Sequence, residues 1–331
     1  MSVVSLAGVA SYLPERVVDN DYFTQGKPSR HPMFKGAKTR HHVEEQSSVD
    51  MIEQAVNKLA KKLDLDLTQD VELILTNVTC LDIPFTGCGA AVAHRVGAKP
   101  KFILDVHNSG CVSFVYMMEV ARSLMQSTGA KSALICNVQN AAGRVFSHPG
   151  VRDRPQSAVP GDACGVGLLV AGGESPIKSI KTANFGEYAE DMKVVNDDGD
   201  DWWAPRDKPL YIDFNESKIS QIVARGNKLV PEIIRDACKT AEIETTDIQC
   251  LITNQPNQIF LRNWREALLL PEEKQLHTYA EHGNTFGAAI PVSLERAIDE
   301  GRVKPGDYIA LGGFSHAGDY AASAVIHWKA A

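Results

Sequence analysis

Residues 65–77, LDLTQDVELILTN, have a counterpart at 243–254, IETTDIQCLITN. In both stretches a helix ends, an aspartate opens a turn, and a short strand rich in Ile and Leu finishes in Thr-Asn. The likeness continues downstream. FVYMMEVARSLMQSTGAKSALIC (114–136) reads as an apolar-striped helix that passes a glycine turn into a buried strand, and TFGAAIPVSLERAIDEGRVKPGDYIALGG (285–313) repeats that order. GDACGVGLLVAGG (161–173) is answered by GDYAASAVIHW (318–328), each a Gly-Asp opening a strand. Three matched blocks in one order predict a duplicated chain with halves at 1–175 and 176–331. Short continuous apolar strands alternating with amphipathic helices predict α/β layers whose sheets are covered on both faces.

Where two such halves pack, their equivalent strand–helix junctions converge. The first half places DVHNSGCVSFVYMME (105–119) at its junction, with Cys111 at a helix start, and the second half places Asn284 at its own. The first turn of a helix lies at the positive end of the macrodipole, beside unpaired backbone N–H groups. That setting favours a thiolate nucleophile and supplies donors for an oxyanion. A small buried cysteine at a helix start is also ordinary packing, so the junction is what singles out Cys111. Cys88 and Cys164 lie among small residues with no long helix behind them and read as core.

The composition narrows the classes. The 331 residues carry a net charge of -7 and no Lys/Arg run, which argues against a nucleic-acid surface. No apolar stretch approaches the roughly 18 residues of a membrane span, and the first residues lack a signal-peptide pattern. Seven cysteines without C-x-x-C or Cys/His ligand spacing argue against a metal site and a disulfide framework, and a cytoplasmic setting is expected.

Several stretches together resemble the β-ketoacyl-acyl-carrier-protein synthase III enzymes of the thiolase superfamily. They are AKTRHHV (37–43), Cys111 with its helix, PGDACGVGLLV (160–170), ITNQPNQIF (252–260), EHGNTFGAAIPVSLERAIDEGRVKPGD (281–307) and the final SAVIHW (323–328). The resemblance implies a duplicated five-layered α-β-α-β-α fold and a homodimer. It also implies a cysteine that carries an acyl group taken from acyl-CoA or an acyl carrier protein, with no separate cofactor. Of that family's Cys-His-Asn triad, Cys111 and Asn284 match, but the His of a His-Gln-x-Asn motif is replaced: the chain reads Asn254, Gln255, Pro256, Asn257. An amide can donate to a thioester oxygen, yet it cannot take and return a proton near neutrality. Acyl transfer to Cys111 is therefore expected to survive better than decarboxylative condensation.

The C-terminal loop departs as well. Where the family carries a glycine-rich turn whose N–H completes an oxyanion hole, this chain reads GGFSHAGDYAASA (312–324), with His316 and Asp319. His316 is either a replacement base or a solvent-facing loop residue. Arg40 either meets a phosphorylated pantetheine carrier or belongs to a charged surface strand. Trp202 and Trp203, in the insertion NDDGDDWWAPRDKPLYIDF (196–214), either wall a substrate tunnel or cover an apolar edge. Phe85, Asn257 and Asp319 complete the substrate-binding candidates. His107 and His282 read as structural, and Asp82 is an alternative base.

The expected function is an acyltransferase that loads Cys111 from a thioester and passes the acyl group to an acceptor in a specialised biosynthetic pathway. A carbon–carbon bond-forming synthase of the same family is the alternative. A non-catalytic partner subunit is the third reading, against which the retention of Cys111 and Asn284 argues.

Overall fold

The structure, a computed structural model, describes residues 3–26, 31–107, 109–200, 208–214 and 216–329. The first half runs β1 (Val4–Tyr12), β2 (Arg16–Asp19), α1 (Asn20–Thr24), β3 (Thr39–His42), α2 (Ser48–Leu63), α3 (Leu67–Asp70), β4 (Leu73–Val78), α4 (Gly89–Val96), β5 (Phe102–Asp105), α5 (Ser113–Thr128), β6 (Ser132–Gln139) and β7 (Ala163–Ala171). The second runs β8 (Ile177–Asn184), β9 (Met192–Val195), β10 (Tyr211–Phe214), α6 (Ile219–Thr240), β11 (Ile248–Thr253), α7 (Gln258–Ala267), α8 (Tyr279–His282), α9 (Ala289–Asp299), β12 (Tyr308–Ser315) and β13 (Tyr320–His327).

The two main sheets have the same plan. One has the order β1-β7-β6-β4-β5 and the other β8-β13-β12-β11. In each, the first two pairings are antiparallel and the next is parallel. Only β5, added in parallel to β4, lacks a counterpart. The repeated aspartates do repeated work: Asp70 accepts the Asp66 N–H at 2.8 Å and Asp247 the Glu244 N–H at 2.9 Å, each closing the turn that feeds a strand. Asn77 and Asn254, which end the two Thr-Asn stretches, both donate their amides to backbone carbonyls nearby, Val106 at 2.8 Å and Phe314 at 2.9 Å.

The layers follow from three apolar clusters. α2 and α4 cover one face of the first sheet, α6 and α7 one face of the second, and α5 and α9 fill the space between the sheets. This is the five-layered thiolase-like fold. The amphipathic α2 begins with a capping box, Ser47 and Asp50 each bonding the other's backbone N–H. α9 and the first half of α5 are mostly buried, and charges on these helices are neutralised locally. Glu119 and Arg122 pair within α5, while the buried Glu295 of α9 accepts from Ser11 Oγ at 2.5 Å and Lys58 Nζ at 3.0 Å.

Asp162, at the mouth of β7, joins three segments. Its Oδ2 accepts the N–H groups of Val43 at 2.8 Å and Gly143 at 2.7 Å, and its Oδ1 that of Ala142 at 2.8 Å. A carboxylate suits three donors, whereas an amide must turn its own NH2 toward one of them. Asp162→Asn is therefore expected to lower folding stability by about 1–3 kcal/mol. A urea titration followed by circular dichroism measures this, and a midpoint equal to that of the unsubstituted protein would remove the argument.

Candidate active site

Ser109 and Gly110 both have positive φ, 63° and 33°, so the chain turns sharply before the short 3-10 turn Gly110–Val112 that carries Cys111 into α5. Side chains from β12 and β6 hold this turn. The Val112 N–H donates to Ser315 Oγ at 3.3 Å, and Asn137 Nδ2 donates to Ser113 Oγ at 2.5 Å. The corresponding turn of the second half, Phe286–Ala288, packs directly on it. A Cβ on Gly287 would overlap Ser113 Oγ and lie 3.0 Å from the Gly110 carbonyl oxygen, so only glycine permits this approach. The two junctions converge as the repeat requires.

The Cys111 thiol is half-buried and differs from the helix-start thiolate expected of the sequence. Burial pushes it up to about 12, and the Asp319 charge adds to that effect. The Asn254 amide and the backbone N–H groups of Cys111 and His316 act in the opposite direction by donating toward sulfur. A neutral thiol facing two backbone N–H groups needs a proton acceptor before it can attack.

Asn254 is almost fully buried and its amide is engaged on both sides. Nδ2 donates to the Phe314 carbonyl at 2.9 Å, and Oδ1 accepts the Phe314 N–H at 3.3 Å. The amide thus imitates a strand and pins β12 where it enters the 315–319 loop. Gly313 makes room for it, since a Cβ there would overlap Asn254 Oδ1. Asn284 uses its Oδ1 to cap the Phe286 N–H at 3.0 Å, while its backbone joins Val159 and Gly161.

His316 supplies the titratable group. Its Nδ1 lies 3.0 Å from both oxygens of Asp319, and its Nε2 faces the Gly110 backbone beside Cys111; a Cβ on Gly110 would be 2.7 Å from that nitrogen. With Asp319 holding the Nδ1 proton, Nε2 is left as an acceptor toward the cysteine turn. Asp319, one of the substrate-binding candidates, orients this ring.

Other candidates lie elsewhere. Arg40 is completely buried, donating to the carbonyls of Ala158 at 2.6 Å and Lys38 at 3.5 Å and stacking over Phe23, so it meets no carrier and forms no surface strand. Burial pulls its guanidinium down to about 10. Asn257 is the N-cap of α7, accepting from Ile259 and Phe260. Asp82 accepts both the N–H and the hydroxyl of Ser48 at 2.6 Å and pairs with Arg144, which occupies it as a cap and not as a base. His282 packs beside His41, and burial lowers it to about 4. His107 and Phe85 are exposed, Phe85 entirely. Trp202 and Trp203 fall outside the described residues.

Sequence reasoning missed Ser315 and Arg225. Ser315 bridges the Val112 N–H and the Ser109 carbonyl. Arg225 donates to the Ala317 carbonyl at 2.5 Å. The available signal for Arg225 was a charge beside the apolar stripe of α6, between the buried Ile222 and Gly226.

The fold and this convergence of a cysteine turn, two asparagines and a His-Asp loop define a thiolase-like enzyme. The sequence pattern described as 3-oxoacyl-[acyl-carrier-protein] synthase III matches residues 104–188, and that of its C-terminal part matches 238–328; the chain belongs to this family. It is 26% identical to the β-ketoacyl-[acyl-carrier-protein] synthase III 1 of Halalkalibacterium halodurans, over 99% of each chain. Among solved structures, the 3-oxoacyl-(acyl carrier protein) synthase III of Pseudomonas aeruginosa superposes with a TM-score of 0.84 at 23% identity, covering 99% of this chain and 98% of that one. The priming β-ketosynthase of the R1128 polyketide biosynthetic pathway gives 0.84 at 18% identity, with 100% and 98% covered.

A thiol held near 12 has a direct kinetic signature. Iodoacetamide labelling of Cys111, mapped by peptide mass spectrometry, is expected to be slow at pH 7 and to rise about tenfold per pH unit through pH 10. A plateau reached by pH 8 would mean that the buried thiol ionises readily.

Proposed function

We propose that the protein is an acyltransferase that loads Cys111 from acyl-CoA or an acyl carrier protein and passes the acyl group to a second substrate in a specialised biosynthetic pathway. The observation that carries this reading is the pairing of a thiol under two backbone N–H groups with a His316–Asp319 dyad whose Nε2 faces the thiol's turn. In the first step Cys111 Sγ attacks the thioester carbonyl while its proton passes to His316 Nε2. The Cys111 and His316 N–H groups hold the developing oxyanion, and Asp319 steadies the imidazolium. Collapse breaks the thioester C–S bond, and the departing thiolate recovers the proton. In the second step the acceptor attacks the Cys111 thioester while His316 Nε2 takes the acceptor's proton, the bond between the acyl carbon and Cys111 Sγ breaks, and the imidazolium returns the proton to the freed Cys111 thiolate. Asn284 and Asn254 shape the site without titrating.

Asn254 is the reason for placing transfer ahead of decarboxylative condensation, because an amide cannot take and return a proton near neutrality and this one also bonds Phe314 through both its nitrogen and its oxygen. Condensation with a preformed or activated carbon nucleophile is the second reading, favoured by the family itself, whose members are named for 3-oxoacyl synthesis. Intact-mass spectrometry with a panel of acyl thioesters tests the first step. An adduct is expected on the unsubstituted protein and none on Cys111→Ala. His316→Ala is expected to slow release of the acyl group to acceptor by about 10²-fold. Acylation on a cysteine other than Cys111, or release at an unaltered rate in His316→Ala, would defeat the mechanism.

The same reading includes a homodimer formed along β5. This strand ends its sheet with Phe102 and Ile103 exposed, and Leu81 and Phe85 are exposed in the segment between β4 and α4. Multi-angle light scattering is expected to give twice the chain mass, and Phe102→Asp to shift the population toward monomer; a monomeric unsubstituted protein at micromolar concentration would end this part of the proposal.

A further inference from the structure

His316 has φ 49°, a left-handed conformation uncommon for a residue with a side chain; in it the ring Nε2 lies against the Gly110 backbone beside Cys111, and the His316 N–H favours the ionised form of that thiol. Such a conformation persists only where its surroundings impose it. The next carbonyl, that of Ala317, accepts Arg225 Nη1 at 2.5 Å. Gly318, at φ 107°, lies against the Arg225 stem; a Cβ there would be 2.5 Å from Arg225 Cδ. Arg225 is itself immobilised. Both of its terminal nitrogens reach Asp191 Oδ2 at 3.1 Å, and its guanidinium lies 3.3 Å from the centre of the Tyr188 ring. The buried Asp191 is completed by Lys218 Nζ at 2.6 Å on its other oxygen. From the same segment, the Phe185 N–H donates to the Asp319 carbonyl at 2.7 Å.

We propose that Arg225 is a positioning residue for acyl transfer: by holding the Ala317 carbonyl, it keeps His316 in the left-handed conformation that sets its N–H and ring beside Cys111. The inference rests on the acyl-transfer reading and extends it outside the cysteine's own surroundings, to a clamp built from Tyr188, Asp191 and Arg225. The clamp links the segment after β8 to the loop that completes the oxyanion site. Its role is geometric, since Arg225 reaches Cys111 only through two residues of backbone.

Two reactions of the same sulfur separate positioning from simple loss of structure. Acylation by a thioester passes through an oxyanion and needs the His316 N–H. Alkylation by iodoacetamide forms a C–S bond with loss of iodide and needs no oxyanion. In Arg225→Met, single-turnover acylation of Cys111 is expected to fall about 10²-fold, the scale of losing one oxyanion donor, while the alkylation rate of the thiolate, taken from the full pH profile so that any change in ionisation is removed, changes less than about threefold. Arg225→Lys, whose ammonium can still donate to Ala317, is expected to recover at least about tenfold of the loss. If Arg225→Met does not fold, Asp191→Asn provides the test, because it retains the arginine but removes the charge that orients it; a selective fall of about tenfold in acylation is expected. Equal losses in both reactions, or acylation within about threefold of the unsubstituted protein, would overturn the inference. An unsubstituted protein that accepts no acyl group from any thioester defeats the acyl-transfer reading first, whereas an acylated one with indifferent variants defeats the positioning role alone.

Discussion

A helix layer sealed between two sheets is the constraint on which the rest of this protein depends. α9 is buried along nearly its whole length and α5 along its first turns, and the charges near them are paired, as Glu119–Arg122 and Glu295–Lys58 are. The chain can place polar function in that layer only where the helices begin, because there the backbone N–H groups lack intrahelical partners. Duplication brings both beginnings to one place, and Gly287 lets them touch. Cys111 and Asn284 come from residues far apart in sequence for this reason.

The same enclosure governs the thiol. Surroundings that protect an acyl-enzyme from water also oppose ionisation, and the macrodipole of a helix start is not enough to reverse that. The site answers with hydrogen-bond donors from three segments and with a histidine fixed by its own aspartate. Asn254 serves the enclosure as much as the chemistry, since its amide closes the gap between β11 and the end of β12. A histidine in its place would have to give up one of the two bonds to Phe314.

Much of this was legible in the sequence because a repeat is a long-range signal written locally. The aspartate turns, the Thr-Asn strand ends and the Gly-Asp openings each recur because the same backbone problem recurs. The Cys111 junction followed from them. What stayed hidden depends on neighbours brought in from elsewhere. The pattern TRHHV does not disclose that Arg40 points inward, where α1 and the 155–158 turn enclose it. The thiol's high proton affinity reflects the closed 315–319 loop, some two hundred residues downstream. Asn257 and Asp82 carried plausible chemistry, but helix N-termini had prior use for both. Arg225 belongs to no motif, and only the loop it touches gives it meaning.

The asymmetry between the halves has an architectural consequence. A pair of four-stranded sheets presents four lateral edges, and at three of them the chain makes contacts of its own. β1 and β8 lie toward one another, joined through Ser5 with Pro176 and Leu6 with Ser175, while the segment at Gln275 lies along β11. The extra strand β5 moves the remaining edge outward and leaves it open. Among the described residues of the two main sheets, β5 presents the edge without a strand partner, and pairing it with the same edge of a second copy would use up both edges. Such pairing is self-limiting: it closes on a two-fold axis and cannot propagate into a fibre.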